Sequence, residues 1–202
     1  MKILVACEES GEVRKSLRRR FHNAWSCDLL PADDGDPHHI QDDIFSVLWA
    51  DPAWDAMLAF WPCTRLCNSG VRWLEERNLW EDMRKSARCF RKLLNFTPIP
   101  KRALENPIPH KYAVREIGCK YDQIIQPWQF GRGETKATCL WIRNLPLLRP
   151  TQIVSGRYPR LHRLSPSPDR AKLRSRTYTG IAEAMADQWF GTNKKRIMLC
   201  KT

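Results

Sequence analysis

The stretch that decides the fold is residues 2–28, KILVACEESGEVRKSLRRRFHNAWSCD. Lys2 to Ala6 form a short, mainly apolar run, and the polar loop CEESG follows directly. Val13 to Arg20 then have the pattern of a helix rich in Arg and Lys, while Ala24 to Leu30 have that of a second strand. The opening of the chain therefore predicts a strand, a loop, a helix and a second strand.

The rest of the chain continues this alternation. Further strands are expected at Trp54 to Phe60 and at Arg102 to Leu104, and two late apolar runs occur at Asp122 to Gln126 and Thr138 to Ile142. Strands that alternate with helices favour an α/β fold with helices on both faces of the sheet. Residues 150–168 contain four Pro and few apolar residues, so we expect an irregular connection there.

Two apolar stripes predict helices. One is spaced by threes and fours and predicts a single long amphipathic helix with its Trp residues in the core: Trp73, Trp80, Met83, Ala87, Phe90 and Leu94. The other recurs every four residues at Ile181, Met185 and Trp189 and predicts a last helix.

Length and composition favour one globular domain over residues 1–202. The chain has 202 residues with 43% hydrophobic and 28% charged content, which excludes a disordered chain. No apolar run approaches the roughly 20 residues that span a bilayer, and the apolar stretch of a signal peptide is absent, so we expect a cytoplasmic protein without a membrane partner. In that compartment the eight Cys are expected to be reduced thiols.

The charge is unevenly distributed. Residues 1–60 carry eleven acidic and six basic side chains, whereas residues 143–176 carry nine basic side chains and one acid, Asp169. Arg side chains neutralise phosphates, and Tyr158 and His162 lie among them as groups able to stack on bases. The late segment is therefore expected to face a nucleic acid.

Polar residues recur where the predicted strands end. They include Asp28, Asp43, Cys63 and Glu105. In open α/β sheets the active site forms at the carboxyl ends of the strands. Asp28 follows Gly11 by about 17 residues, near the spacing at which an acidic residue receives ribose hydroxyls in nucleotide-binding sheets.

Taken in order, these residues resemble the cytosine-C5 DNA methyltransferase family, in a short form of the kind found in phage and prophage genomes. The loop CEESG stands where the family has its glycine-rich S-adenosylmethionine loop, with Gly11 remaining of several glycines. Asp28 matches the acid that binds the cofactor ribose. Asp43-Ile44 matches the Asp-Ile pair that meets the adenine amino group.

The motifs for catalysis follow later in the chain. Pro62-Cys63 resembles the family's Pro-Cys nucleophile motif, and Glu105-Asn106-Pro107 resembles its Glu-Asn-Val motif about 40 residues further on. Gln129 to Thr138 align without gaps on the Asp-Phe-Gly segment and its Arg-x-Arg, with Lys136 at the first Arg position and Thr138 at the second. Tyr178 to Met185 resemble the helix that closes the cofactor pocket.

The resemblance implies a Rossmann-like methyltransferase fold and a DNA (cytosine-5-)-methyltransferase that uses S-adenosylmethionine. Cys63 would be the thiolate that adds to C6 of cytosine, Glu105 the acid that meets N3, and Lys136 a contact to the base carbonyl or a phosphate. The cofactor contacts expected are Cys7, Glu8, Glu9, Ser10, Gly11, Asp28, Asp43 and Pro62. The DNA contacts expected are Thr64, Arg65, Asn106, Arg132, Arg157, Arg160, Arg163, Arg174 and Arg176.

Alternatives stay open at this point. Only about 40 residues separate Ile142 from Ile181, so residues 143–176 are expected to act as a reduced DNA-binding segment in place of a full target-recognition domain. The chain could instead modify another pyrimidine (a nucleotide, RNA or modified base), or be a non-catalytic nucleic-acid-binding relative. A zinc site from Cys63, Cys67 and His38-His39 lacks the compact Cys-x-x-Cys spacing, so no metal is expected. The oligomeric state is not predicted.

Overall fold

The computed structural model describes residues 1–161 and 163–191. His162, which was expected to stack on bases, and Cys200 lie outside the described residues. The strands that the structure describes are β1 (Lys2–Ala6), β2 (Asn23–Asp28), β3 (His39–Gln41), β4 (Ala56–Ala59), β5 (Lys101–Pro107), β6 (Gln123–Ile125) and β7 (Thr138–Arg143). The helices described are α1 (Glu12–Arg18), α2 (Ile44–Ala50), α3 (Arg72–Glu76), α4 (Trp80–Leu94), α5 (Lys111–Ile117), α6 (Arg170–Ser175) and α7 (Thr179–Phe190).

All these strands belong to one sheet with the order β3-β2-β1-β4-β5-β7-β6. Neighbours from β3 to β5 pair in parallel. β7 is inserted antiparallel between β5 and β6. Because β7 runs the opposite way, its first residues lie at the same edge of the sheet as the last residues of β5.

Helices cover both faces of the sheet, as the alternation predicts. Successive side chains of a strand point to opposite faces. In β1, Ile3 and Val5 pack with Leu17 of α1, while Leu4 packs with Phe90 of α4 on the other face. These side chains are fully buried. The predicted fold class, an α/β fold with a mostly parallel sheet, is confirmed.

The predicted long amphipathic helix is present as α4, with its smaller apolar residues buried, but its extension back to Trp73 and the full burial of its Trp residues are wrong. The chain breaks between α3 and α4 at Asn78, whose φ of 49° lies in the left-handed region and cannot continue a helix. Trp73 is sandwiched at the surface by Arg72 and Arg77, with guanidinium-to-ring distances of 4.3 and 4.2 Å. Trp80 is half-buried. Cation–π contact rather than core packing accounts for Trp73.

The irregular connection between residues 150 and 168 is present as expected, but it is tied to the chain between β6 and β7. Val154 N–H donates to the Trp128 carbonyl at 3.0 Å, and isolated bridges join Phe130 to Gln152 and Glu134 to Tyr158. No helix among the described residues is long and apolar enough to cross a membrane. The seven cysteines in the described ranges are free thiols.

Candidate active site

The candidate site lies where the strand order reverses, between β1 and β4. A crevice opens at the carboxyl ends of the strands on either side of such a reversal, and ligands bind there in open α/β sheets. Ala6 and Ala59, the last residues of the two strands, are in register, and Phe60 N–H donates to the Ala6 carbonyl at 2.9 Å. The CEESG loop after β1 and the chain that leads to Cys63 are therefore neighbours.

Cys63 begins a short 3₁₀ turn, residues 63–65, that follows β4. Its carbonyl accepts the N–H groups of Leu66 at 2.9 Å and Cys67 at 3.0 Å. Leu66 is fully buried and anchors the turn. On the other side, the indole N–H of Trp61 donates to Ser86 of α4 at 2.9 Å. The half-buried thiol of Cys63 is thus carried by a turn that is fixed on both sides.

Neighbouring groups keep Cys63 protonated in the free protein. The thiol of Cys67 is hydrogen-bonded to it, and together with burial and the charge of Glu105 this contact raises the pKa of Cys63. The same contact, with the Ser69 hydroxyl 3.1 Å from the Cys67 sulfur, lowers the pKa of Cys67. A nucleophilic Cys63 would have to lose its proton when the substrate arrives.

Glu105 lies on β5, beside the end of β4, and faces the first residues of β7. Burial raises the pKa of its carboxyl group, and the Lys136 ammonium and the Thr138 side chain oppose that rise. The Thr138 hydroxyl also lies 3.2 Å from the Lys136 carbonyl. A carboxyl whose pKa is raised is suited to donate a proton near neutral pH.

Glu105 opens into a small cavity. Its other lining side chains come from the residue after β4, from β7 and α7, and from the chain before those two elements, namely Phe60, Lys136, Thr138, Thr177, Tyr178, Ile181 and Met185. Lys136 lines the cavity, and its ammonium donates a hydrogen bond to the Arg174 carbonyl at 2.7 Å. The last helix and the β5–β7 pair therefore enclose the candidate acid, and Lys136 links it to the basic segment.

The other expected residues near Cys63 differ in exposure. Pro62 and Thr64 are exposed and Arg65 is half-buried, with Nε 3.7 Å from Asp82. Asn106 is fully buried, and its amide donates to the Pro107 carbonyl at 2.5 Å. Asn106 therefore stabilises the end of β5 in this structure, while Thr64 faces solvent.

The CEESG loop forms a tight turn between β1 and α1. Cys7 and Gly11 have φ values of 57° and 68°, in the left-handed region. A Cβ at Gly11 would come within 2.5 Å of Arg14, so only glycine fits there. Ser10 is buried, and Glu9 is half-buried with its pKa raised by burial and by nearby acids.

Glu8 points toward α1 rather than into the crevice. It is buried, and its carboxylate accepts the N–H groups of Val13 at 2.7 Å and Arg14 at 3.3 Å. Burial raises its pKa to about 7 despite these bonds. Glu8 thus satisfies the backbone donors at the start of α1, which have no partner within the helix.

Two acids extend the site along the sheet edge. Asp28 ends β2 and accepts the Leu30 N–H at 3.0 Å, and Asp43 caps α2 by accepting the Phe45 N–H at 2.8 Å. Both carboxylates add to the rise that burial causes in the pKa of Cys7. Asp28 and Asp43 therefore both lie close to the turn after β1, and their contacts to a cofactor stay a prediction.

The basic segment, residues 143–176, is partly anchored and partly free. The buried carboxylate of Glu134 accepts the Leu161 N–H at 2.9 Å, and Arg157 stacks on Trp128 at 4.0 Å. Arg160 and Arg163 are exposed and line an open hollow with Tyr158 and Pro159. Arg132 is exposed too.

The end of this segment contacts the acidic N-terminal loops instead. Arg176 forms an ion pair with Glu12, and Lys172 of α6 forms one with Asp33. The guanidinium of Arg176 is therefore already engaged by a carboxylate, unlike those of Arg160 and Arg163, for which the described residues show no ion pair. Arg174 meets the site through its backbone carbonyl, which Lys136 binds.

The zinc alternative is not supported by the described residues. His38 bonds to Asp36 at 2.8 Å and His39 to Ser26 at 2.8 Å, both beside β2 and away from the Cys63 turn. Within residues 1–161 and 163–191, no group of three or more His, Cys, Asp or Glu side chains is arranged to hold a metal ion.

Sequence reasoning missed two residues of this region. Thr138 looks like a departure from a motif, yet its side chain contacts Glu105. His110 drew no attention, although it is buried between the Cys63 turn and α5. Its position just before a helix could have indicated a helix cap. Nothing in the sequence indicates its contact to the Arg65 carbonyl.

Comparison with known proteins identifies the class of fold. No protein-family model matches the sequence, and no curated protein does. Among solved structures, the methyltransferase EhMeth of Entamoeba histolytica superimposes with a TM-score of 0.52 at 14% identity, over 83% of this chain and 60% of that one. The chain thus shares the fold of a methyltransferase, with a Rossmann-like mostly parallel sheet.

Two further structures are similar at lower scores. A proposed DNA modification methyltransferase encoded within a prophage of Escherichia coli has a TM-score of 0.44 and 11% identity, covering 77% of this chain and 52% of that one. A triple mutant of DNMT2 from Spodoptera frugiperda has a TM-score of 0.42 and 12% identity, covering 76% and 54%. The chain spans between 52% and 60% of the length of these three structures.

Proposed function

We propose that this protein transfers a methyl group from S-adenosylmethionine to C5 of cytosine in DNA, through a covalent bond between Cys63 and C6 of the base. The observation that carries the proposal is the placement of Cys63 and Glu105. Cys63 follows β4 and Glu105 lies near the end of the neighbouring parallel strand β5, and the charge of Glu105 contributes to the raised pKa of Cys63. The fold shared with a methyltransferase supports the same assignment.

The part of the crevice between the turn after β1 and the acids Asp28 and Asp43 has hydrogen-bond acceptors that fit S-adenosylmethionine. In each of the two carboxylates, Asp28 and Asp43, Oδ1 accepts hydrogen bonds from backbone N–H groups, which orient the side chain. The described residues show no hydrogen bond to Oδ2 of either carboxylate. Their second oxygens suit the ribose hydroxyls and the adenine amino group. Ser10 and Gly11 form the turn between them and β4. When bound, S-adenosylmethionine supplies an electrophilic methyl group.

The chain's own residues would make C5 of cytosine reactive. Cys63 gives its proton to solvent water, and its sulfur forms a bond to C6, which breaks the C5–C6 double bond. Glu105 donates a proton to N3 as negative charge develops there, so C5 becomes the nucleophilic carbon of an enamine. The charge on Lys136, beside Glu105, suits the base carbonyl. After methylation, a water molecule takes the C5 proton and the Cys63 thiolate leaves C6, while N3 returns its proton to Glu105.

The basic segment would hold the DNA. Three exposed Arg residues lie near the contacts that Glu134 and Trp128 make to this segment: Arg132, Arg160 and Arg163. Arg side chains bind phosphates strongly. Because Cys63 must approach C6 from one face of the ring, the target base would have to leave the helical stack. Tyr158 is 62% exposed beside these Arg residues and is available to contact bases.

The test is incubation with labelled S-adenosylmethionine and duplex or single-stranded DNA, followed by mass spectrometry of the nucleosides. The expected result is 5-methylcytosine, with loss of product in a Cys63→Ala variant that still binds DNA. Cofactor binding without product on any DNA would favour another pyrimidine substrate. Neither binding nor product would favour a non-catalytic nucleic-acid-binding relative, and the proposal would then be wrong.

A further inference from the structure

The two segments that carry Cys63 and Glu105 are joined a second time beyond the sheet. Asn68 N–H donates to the Ile108 carbonyl at 2.9 Å, and His110 N–H donates to the Leu66 carbonyl at 3.0 Å. Cys67 and Pro109 form an antiparallel bridge between these bonds. The chain that leaves β5 after Glu105 therefore runs back along the Cys63 turn.

His110 adds a side-chain contact across this junction. The ring is 97% buried, since only 3% of the residue is exposed. Its Nδ1 accepts the Ala113 N–H at 3.0 Å and so caps the start of α5. That bond requires Nδ1 to be unprotonated, so the proton of the neutral ring is on Nε2. Nε2 donates it to the Arg65 carbonyl at 3.0 Å.

We propose that His110 is a positioning residue that sets the distance between Cys63 and Glu105 by holding the Arg65 carbonyl. This inference rests on the proposed function of that pair. The 3₁₀ turn at residues 63–65 has poorer internal hydrogen-bond geometry than an α-helix and needs external support. A misplacement of about 1 Å at a reacting group costs about 100-fold in rate.

Two substitutions separate the two bonds of the ring. An Asn side chain places its polar atoms near the position of Nδ1, so His110→Asn keeps the helix cap and loses the contact to Arg65. A Gln side chain reaches the position of Nε2, so His110→Gln keeps the contact to Arg65 and loses the cap. Lys111→Ala, at the exposed neighbouring residue, is the control for general disturbance of α5.

The measurement is the rate of covalent capture by a duplex that contains 5-fluorocytosine, with S-adenosylmethionine present. The C5 fluorine cannot leave as a proton does, so the adduct with Cys63 persists. We expect His110→Asn to lower the capture rate about 10- to 100-fold with an unchanged DNA affinity, while it melts no lower than His110→Gln. His110→Gln should recover most of the rate while melting at a lower temperature. Lys111→Ala should behave as the unaltered protein.

The proposal is overturned if the capture rates of the Asn and Gln variants follow their melting temperatures, because a purely structural His110 would give that result. It is also overturned if His110→Asn captures as fast as the unaltered protein. If the unaltered protein itself captures nothing, the proposed function fails first. Alkylation of Cys63 by iodoacetamide then compares the same variants without catalysis: a changed rate in the Asn variant alone supports the positioning role, and equal rates refute it.

Discussion

The strand-edge site and the basic segment are built in opposite ways. Cys63 and Glu105 are placed by neighbouring strands in register, by buried side chains such as Leu66, and by backbone hydrogen bonds on both sides. Residues 150–163 contain no described helix or strand and expose Arg160 and Arg163. Reacting groups need placement to within a fraction of an ångström, whereas phosphate contacts tolerate adjustment. The contrast is what the proposed function requires, namely a rigid reaction centre beside an adaptable binding surface.

The largest effect should come from removing the nucleophile. Cys63→Ala deletes the sulfur that is proposed to bond to C6, so methyl transfer should fall about 10⁴-fold or more while DNA affinity changes less than about twofold. Transfer of labelled methyl and DNA binding by fluorescence anisotropy measure the two quantities. Cys89→Ala, a half-buried thiol on α4, is the matched control and should keep full activity. Undiminished methyl transfer by Cys63→Ala would contradict the assignment of Cys63 as the nucleophile.

Glu105→Gln should lower the transfer rate about 10²- to 10⁴-fold, because Gln keeps the shape of the side chain but has no acidic proton to give to N3. The effect should depend on pH. Burial raises the pKa of Glu105, so the protonated acid persists to higher pH than in an exposed carboxyl, and the rate of the unaltered protein should decline only above that pKa.

The rate of the Gln variant should lack this alkaline decline. Thr138→Val, which removes the hydroxyl beside Glu105 at nearly constant volume, should move the decline to higher pH, since that hydroxyl lowers the pKa. Identical profiles in all three proteins would contradict the role of Glu105 as the acid.

Glu8 should make folding stability depend on pH. Its pKa is about 7 in the folded protein and 4.5 in an ordinary setting, so the folded state holds the proton more tightly. The contribution of Glu8 to the free energy of unfolding should therefore be largest below pH 4.5 and fall by up to about 3 kcal/mol as the pH rises through 7.

Urea denaturation at several pH values measures this dependence. Glu8→Gln should flatten the curve between pH 4.5 and 8, and Glu76→Gln, at an exposed position on α3, should leave it unchanged. A curve of equal slope in Glu8→Gln would assign the pH dependence to other groups.

The smallest effects should occur in the basic segment, where each contact acts separately. Arg160→Gln or Arg163→Gln should each weaken DNA binding by about 1 kcal/mol and reduce the slope of log K against log salt by about 1. Arg176→Gln, an equal change of charge at a residue paired with Glu12, should weaken binding less. Anisotropy titrations at several salt concentrations give both quantities. Equal losses in all three variants would mean that the ion pair with Glu12 opens when DNA binds.

Much of the fold could be predicted from local pattern. β1, β2, β4 and α7 are strongly apolar or strongly periodic, and the predicted strands and last helix lie close to those observed. The long helix was predicted wrongly, because periodicity does not show that Asn78 adopts a left-handed conformation. The three-residue β3 and the short helices α2, α5 and α6 are too brief to give a periodic signal.

The sequence by itself determined which residues are available for chemistry: a thiol after one buried strand, a carboxylate at the end of the next, acids after two others, and a late excess of Arg. Only the tertiary structure decided how they combine. Sheet order and the antiparallel β7 bring Thr138 and Lys136 to Glu105, Glu8 turns into α1, Arg176 pairs with Glu12, and His110 reaches the Arg65 carbonyl. The physical reason is that these contacts join residues far apart in the chain, and their geometry depends on strand order and packing, which no local pattern encodes.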